Sequence, residues 1–228
     1  MELKLIEKRQ ETEDVFSFIF EPSTPVSWQA GQYALYKIPH DNPDDRRDTR
    51  IFTISSPPYQ KNIMLTTRYL TQQSSSFTTA LFAQEVGDSV DLQKVGGSFT
   101  IQNENHKMVF VAGGIGITPF HAILLELENQ KTIKDIILIY SNKDEESIVL
   151  KDTLDRLEKR FKGFKVNYLF SPQRCDQELI KNVVQDIQDR IFYLSGPPGM
   201  VKAVEEALHQ LKVNKENIRE DYIPGTGE

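Results

Sequence analysis

The chain has 228 residues, enough for one large domain or two ordinary ones, and its 39% hydrophobic and 26% charged residues give a globular balance. A net charge of −6 removes the dominant basic field that a nucleic-acid-binding surface needs. The single cysteine, Cys175, excludes an internal disulfide and fits a reducing compartment.

The first residues, Met1-Glu2-Leu3-Lys4-Leu5-Ile6-Glu7-Lys8, are charged throughout and lack the apolar core of a signal peptide. From Val15 to Leu92, short segments rich in β-branched and aromatic residues alternate with turn formers: Val15–Phe20, Gln32–Ile38, Arg50–Ser55, Ile63–Tyr69 and Ser89–Leu92. This spacing predicts a small antiparallel β-barrel, interrupted by one helix over Ser76–Glu85. The densely charged loop from His40 to Asp48 is expected to be exposed and mobile.

Near residue 103 the texture changes. Compact apolar strands (Val109–Ala112, Ile136–Tyr140, Val166–Phe170, Ile191–Leu194) alternate with amphipathic helices. Phe120, Ile123, Leu124 and Leu127 share one helix face; Leu150, Leu154, Leu157 and Phe161 share a second; Val201, Val204, Leu208 and Leu211 share a third. Alternating strands and helices predict a doubly wound parallel α/β sheet. We therefore expect a barrel domain over residues 1–102 and an α/β domain over 103–228. The longest apolar stretch, Met108–Phe120, is short and broken by three glycines, so no membrane span is expected and the chain reads as cytoplasmic.

Three segments carry chemistry. Gly113-Gly114-Ile115-Gly116 leaves a buried strand, and Thr118-Pro119 opens a helix, with Thr118 as the expected N-cap. Glycines there let backbone amides approach an anion, and a helix start favours negative charge, so a pyrophosphate suits the turn; a plain packing turn is the alternative. Ser195-Gly196-Pro197-Pro198-Gly199-Met200 ends another strand and starts the next helix, opening onto the same crevice unless it is only a proline-stiffened turn. The third segment, Arg50-Ile51-Phe52-Thr53-Ile54-Ser55-Ser56, offers a guanidinium able to clasp a pyrophosphate. It also reads as an ordinary half-buried strand. His40, His106, His121 and His209 have no metal-ligand spacing, no metal is expected, and most of them read as solvated or helix-surface residues.

In their order and separation these segments resemble the signature of the ferredoxin–NADP reductase family. The resemblance implies a Greek-key flavin-binding barrel followed by a nucleotide-binding domain, with FAD favoured over FMN. It implies that Arg50 clasps the flavin pyrophosphate, that Phe52 lies by the ring in place of the commoner tyrosine, and that Thr53 stands near the hydride-accepting nitrogen. A helix start at Ser74-Ser75-Ser76-Phe77-Thr78 would add Ser75, Ser76 and Thr78 to the flavin contacts. Glu220-Asp221-Tyr222 resembles the closing E-x-aromatic pattern, giving Glu220 a catalytic place beside Thr53 and Ser195, and Tyr222 a place on the flavin face. Gly113, Gly114, Gly116, Thr118, Pro119, Gly196, Pro197 and Met200 would hold NAD(P)H. Lys143 is placed for a 2′-phosphate, with Arg174 beyond the next strand, but Asp144, Glu145 and Glu146 crowd Lys143, which leans the choice to NADH.

One cysteine is too few for the four ligands of a built-in iron–sulfur cluster. Electrons would therefore leave to a separate molecule, expected to be a soluble electron-carrier protein. A reductase of free flavins and a non-catalytic flavin-binding subunit are the two rival readings.

Overall fold

Period-two alternation of apolar and polar residues builds the first sheet of the computed structural model, which describes residues 1–71, 74–102 and 107–221. Its elements are β1 (Glu2–Gln10), β2 (Val15–Pro22), β3 (Tyr33–Lys37), β4 (Thr49–Thr53), β5 (Ile63–Arg68), helix α1 (Ser76–Phe82) and β6 (Ser89–Gly96). Strand order is β4-β3-β6-β1-β2-β5, antiparallel at every pairing. The two edges meet just past β4, where Ser55 N donates to Met64 O at 2.7 Å, so the sheet curls back on itself.

Strand β1 was not anticipated. Leu3 and Leu5 point into the core, with Lys4 and Ile6 (39% exposed) turned out, but the register shifts between Leu5 and Glu7 and leaves Glu7 exposed as well. That break erases the alternation that would have marked a strand. Helix α1 stops at Phe82, short of the expected Glu85.

The second half contains β7 (Lys107–Gly113), α2 (Thr118–Gln130), β8 (Ile136–Asn142), α3 (Lys151–Arg160), β9 (Phe164–Phe170), α4 (Gln177–Val183), β10 (Arg190–Ser195), α5 (Pro198–Gln210) and β11 (Ile218–Glu220). All pairings are parallel, in the order β11-β10-β7-β8-β9. The chain runs outward from β7 to β9, then returns to the other side of β7, so strand order reverses between β7 and β10. Such a reversal opens a crevice at the carboxyl ends of those strands. The opposite, amino end is closed by ion pairs: buried Arg190 meets Asp186 at 2.5 Å and Asp135 at 2.8 Å. The four short apolar strands and three helices lie where the sequence predicts them, although Leu150 and Phe161 flank α3 as its caps and Leu211 caps α5, while α4 and β11, only seven and three residues long, were not expected.

The two sheets share a core. Val15, Met64 and Phe99 from the first half pack in one cluster with Phe110, Phe120 and Ile123 from the second. The Phe99 ring stands edge-on to Phe120 at 5.6 Å and to Tyr193 at 5.5 Å. Among the described residues, no helix is long and apolar enough to cross a membrane.

Candidate functional site

The two glycine turns interlock at the mouth of the crevice. A Cβ on Gly116 would lie 2.4 Å from Ser195 O, and one on Gly113 would lie 2.5 Å from Met200 Sδ and 2.9 Å from Pro197 Cδ. A Cβ on Gly196, at φ +156°, would lie 2.8 Å from Met200 Cε and 3.0 Å from Gly113 N. The structure thus brings Gly113, Gly116, Ser195, Gly196, Pro197 and Met200 together. Gly114 differs: it has φ +51°, and a Cβ there would meet nothing within 4 Å, so its backbone faces open space. Tyr140 Oη donates to Gly114 O at 3.0 Å and fixes the turn. A backbone cradle that admits no side chains and presents one open glycine fits a nucleotide phosphate.

Thr118 does not cap its helix as expected. The glycine turn winds into a 3₁₀ segment over Gly114–Ile117, so Thr118 is already the first helical residue, and its Oγ1 donates to Ile115 O at 3.1 Å. Pro119 follows it, buried, in the first turn. Pro197 stands at the N-cap of α5, with Pro198 as its first residue.

Ser195 is 2% exposed, and its Oγ donates to Asp221 Oδ2 at 2.9 Å. Asp221 N extends the parallel pairing by donating to Leu194 O at 2.9 Å. Burial pushes the Asp221 carboxyl up to about 6, against the opposing pull of the Ser195 bond. Glu220, the carboxylate singled out from the sequence, is exposed; partial burial and the neighbouring Glu205 raise its pKa. The carboxylate that meets Ser195 is therefore Asp221. Tyr222 and His106 lie outside the described residues.

Thr53 ends β4 with 6% exposure, and Phe52 packs half-buried against Phe77 at 5.7 Å. Beyond them, Ser55 O accepts a hydrogen bond from His121 Nδ1 at 2.7 Å. A carbonyl only accepts, so Nδ1 carries the proton. His121 is 5% exposed, not a surface residue as expected, and its burial lowers its pKa despite the Ser55 bond, keeping the ring neutral. This bond ties the Arg50–Ser56 segment to the first turn of α2, one turn from Gly116.

Arg50 is buried, and both terminal nitrogens of its guanidinium are engaged, while Nε has no partner among the described residues. Nη2 donates to both carboxylate oxygens of Asp44, while Nη1 donates to the carbonyls of Thr49 (2.7 Å), Arg46 (3.0 Å) and Arg47 (3.1 Å). Ser76 N donates to Asp44 Oδ2 at 3.1 Å, and Asp44 N donates to Ser76 Oγ at 2.9 Å. The loop expected to be mobile is thus anchored at Asp44. Ser75 caps α1, accepting from Thr78 N at 3.1 Å. Arg50 and the Ser76 amide converge on one negatively charged group, which is the donor set a flavin pyrophosphate requires.

Lys143 is exposed beyond β8 and Arg174 exposed beyond β9. Asp144 accepts from the Ser147 amide at 3.0 Å, and Glu145 lies 4.0 Å from Lys151 Nζ. Cys175 is buried, its thiol pushed up to about 12 by burial and by Asp176. Among the described residues, no group of three or more His, Cys, Asp or Glu is placed to hold a metal ion. Asp44, His121 and Asp221 were not found from the sequence, since each owes its place to a partner distant in the chain.

Residues 110–206 match the family described as oxidoreductase NAD-binding domain. The chain is similar to terephthalate 1,2-dioxygenase reductase component 1 of Comamonas sp, 22% identical over 87% of this chain and 60% of that protein. It spans about 60% of the length of the curated relatives it matches. Among solved structures, the FAD/NAD-binding domain of nitric oxide dioxygenase from Vibrio cholerae superposes with a TM-score of 0.83 at 23% identity over 96% of both chains. Ferredoxin–NADP⁺ reductase from Plasmodium falciparum superposes with a TM-score of 0.81 at 19% identity over 96% of this chain and 94% of the other. With an antiparallel sheet curled upon itself and a parallel sheet switching direction at two glycine turns, the chain has the two-domain fold of the ferredoxin–NADP reductase-like structures it superposes on, and residues 110–206 belong to the oxidoreductase NAD-binding domain family.

Proposed function

We propose that this chain is an NAD(P)H-dependent flavin oxidoreductase that passes electrons to a separate one-electron acceptor protein. The observation that carries the reading is the His121–Ser55 hydrogen bond, which joins the Arg50–Ser56 segment to the helix entered from the glycine turn. Two cofactor sites held at a fixed separation are what direct hydride transfer demands.

In this reading residues 1–102 hold the flavin and residues 103–228 the nicotinamide nucleotide. Gly113, Gly114 and Gly116, with Thr118 and Pro119 behind them, cradle the nucleotide phosphates. Gly196, Pro197 and Met200 wall the nicotinamide, and Ser195 is fixed beside it by Asp221. Arg50, Ser75, Ser76 and Thr78 serve the flavin pyrophosphate, while Phe52 and Thr53 border the ring. A bound FAD supplies the chemistry, accepting a hydride and releasing electrons singly. The protein orients both rings and excludes water from between them.

Lys143 is exposed and flanked by Asp144, Glu145 and Glu146, which leave little net attraction for a 2′-phosphate, so we assign NADH as the preferred donor. The relative named as a dioxygenase reductase component supports an acceptor that is itself a protein, of electron-carrier or oxygenase type.

The purified protein is expected to be yellow and to bleach under anaerobic NADH, with kcat/KM for NADH at least equal to that for NADPH. A yellow protein that stays oxidised would contradict the function. A strong NADPH preference would overturn the choice of nucleotide alone.

A further inference from the structure

We propose that Asp44 is a built-in competitor for the flavin pyrophosphate: its carboxylate holds Arg50 and the start of α1 in a closed latch that FAD must displace. The inference rests on the flavin reading above and adds a control on that site. Four observations converge on it. Both carboxylate oxygens of Asp44 accept from Arg50 Nη2. The same carboxylate accepts from Ser76 N, so one anion bridges a guanidinium and a free amide as a phosphate would. The loop is clipped a second time, Asp44 N donating to Ser76 Oγ. The loop also closes on itself: Arg46 N donates to Asp44 Oδ1 at 2.9 Å, and Ile38 N donates to Asp48 O at its base.

The charge state supports the latch. Partial burial pulls the Asp44 carboxyl upward, but the bonds from Arg50, Ser76 and Arg46 outweigh it and hold the group well below the usual carboxylate range. Asp44 is therefore an anion throughout the physiological range. With Arg50 Nη2 and Ser76 N on Asp44, and Arg50 Nη1 on the carbonyls of the same loop, the pair is open to a pyrophosphate only in the fraction of molecules whose latch has released. Apparent affinity falls by that fraction, so a site open one-tenth of the time binds about tenfold more weakly.

The test compares FAD and riboflavin binding to the full-length wild type, Asp44→Asn and Arg50→Ala by quenching of flavin fluorescence. Riboflavin lacks phosphate and serves as the internal reference. Asp44→Asn is expected to tighten FAD binding about tenfold while riboflavin affinity stays unchanged. FAD affinity equal to or weaker than wild type in Asp44→Asn overturns the latch and makes Asp44 a buttress for Arg50. Should that variant fail to fold, Asp44→Ser is read in the same way. Undiminished FAD binding by Arg50→Ala would instead refute the pyrophosphate assignment. Failure of the wild type to bind either flavin would refute the flavin reading itself, and the latch with it.

Discussion

Asp221 shows how little of a residue's role its neighbours in sequence reveal. The E-x-aromatic pattern directs attention to Glu220, but successive side chains of an extended segment face opposite ways, and only the packed structure decides which way is in. Here Asp221 turns to Ser195 and Glu220 to solvent. The same holds for Asp44 and His121, one lying in a loop expected to be exposed and mobile and the other among four histidines most of which were expected at the surface. Arg50 and Thr53 were legible because a short pattern carries them; their partners were not. Asp221 gives a pH prediction. Its folded pKa of about 6 lies above the ordinary 3.8, so the folded state binds the extra proton, and the associated stability is full below 3.8 and lost as pH rises through about 6. The loss is on the order of 3 kcal/mol. Asp221→Asn should flatten the slope of stability against pH over that window, measured by denaturant unfolding. A slope unchanged from wild type would show that Asp221 titrates normally.

Among the elements, the two glycine turns separate packing from binding. Gly116 lacks a side chain because β10 leaves no room for one: its Cβ would stand 2.4 Å from Ser195 O. Gly116→Ala should cost about 1–3 kcal/mol of stability by overpacking. Gly114 has room but a left-handed backbone, so Gly114→Ala should cost only about 1 kcal/mol of strain while placing a methyl group over the crevice. We expect it to raise the NADH dissociation constant severalfold with little change in melting temperature. An unchanged constant would make the turn a packing device alone. Long, regular elements such as β7, α2 and β8 were readable because their apolar residues keep one period. β1 was hidden by its bulge at Leu5–Glu7, and β11 by its length of three residues.

For the whole molecule, the change of texture near residue 103 announced two kinds of sheet, but nothing in the sequence foretold how they join. Val15, Met64 and Phe99 enter the core of the second sheet, and His121 reaches back to Ser55. Cooperation between the halves is therefore a property of packing, dispersed over residues far apart in the chain. The central claim is that this joint sets a nicotinamide against a flavin for direct transfer. Anaerobic stopped-flow reduction of the flavin by NADH, compared with NADH deuterated at the transferring C4 position, tests it. The account predicts single-turnover bleaching that deuterium slows; bleaching at the same rate with both donors, or none with either, would contradict it.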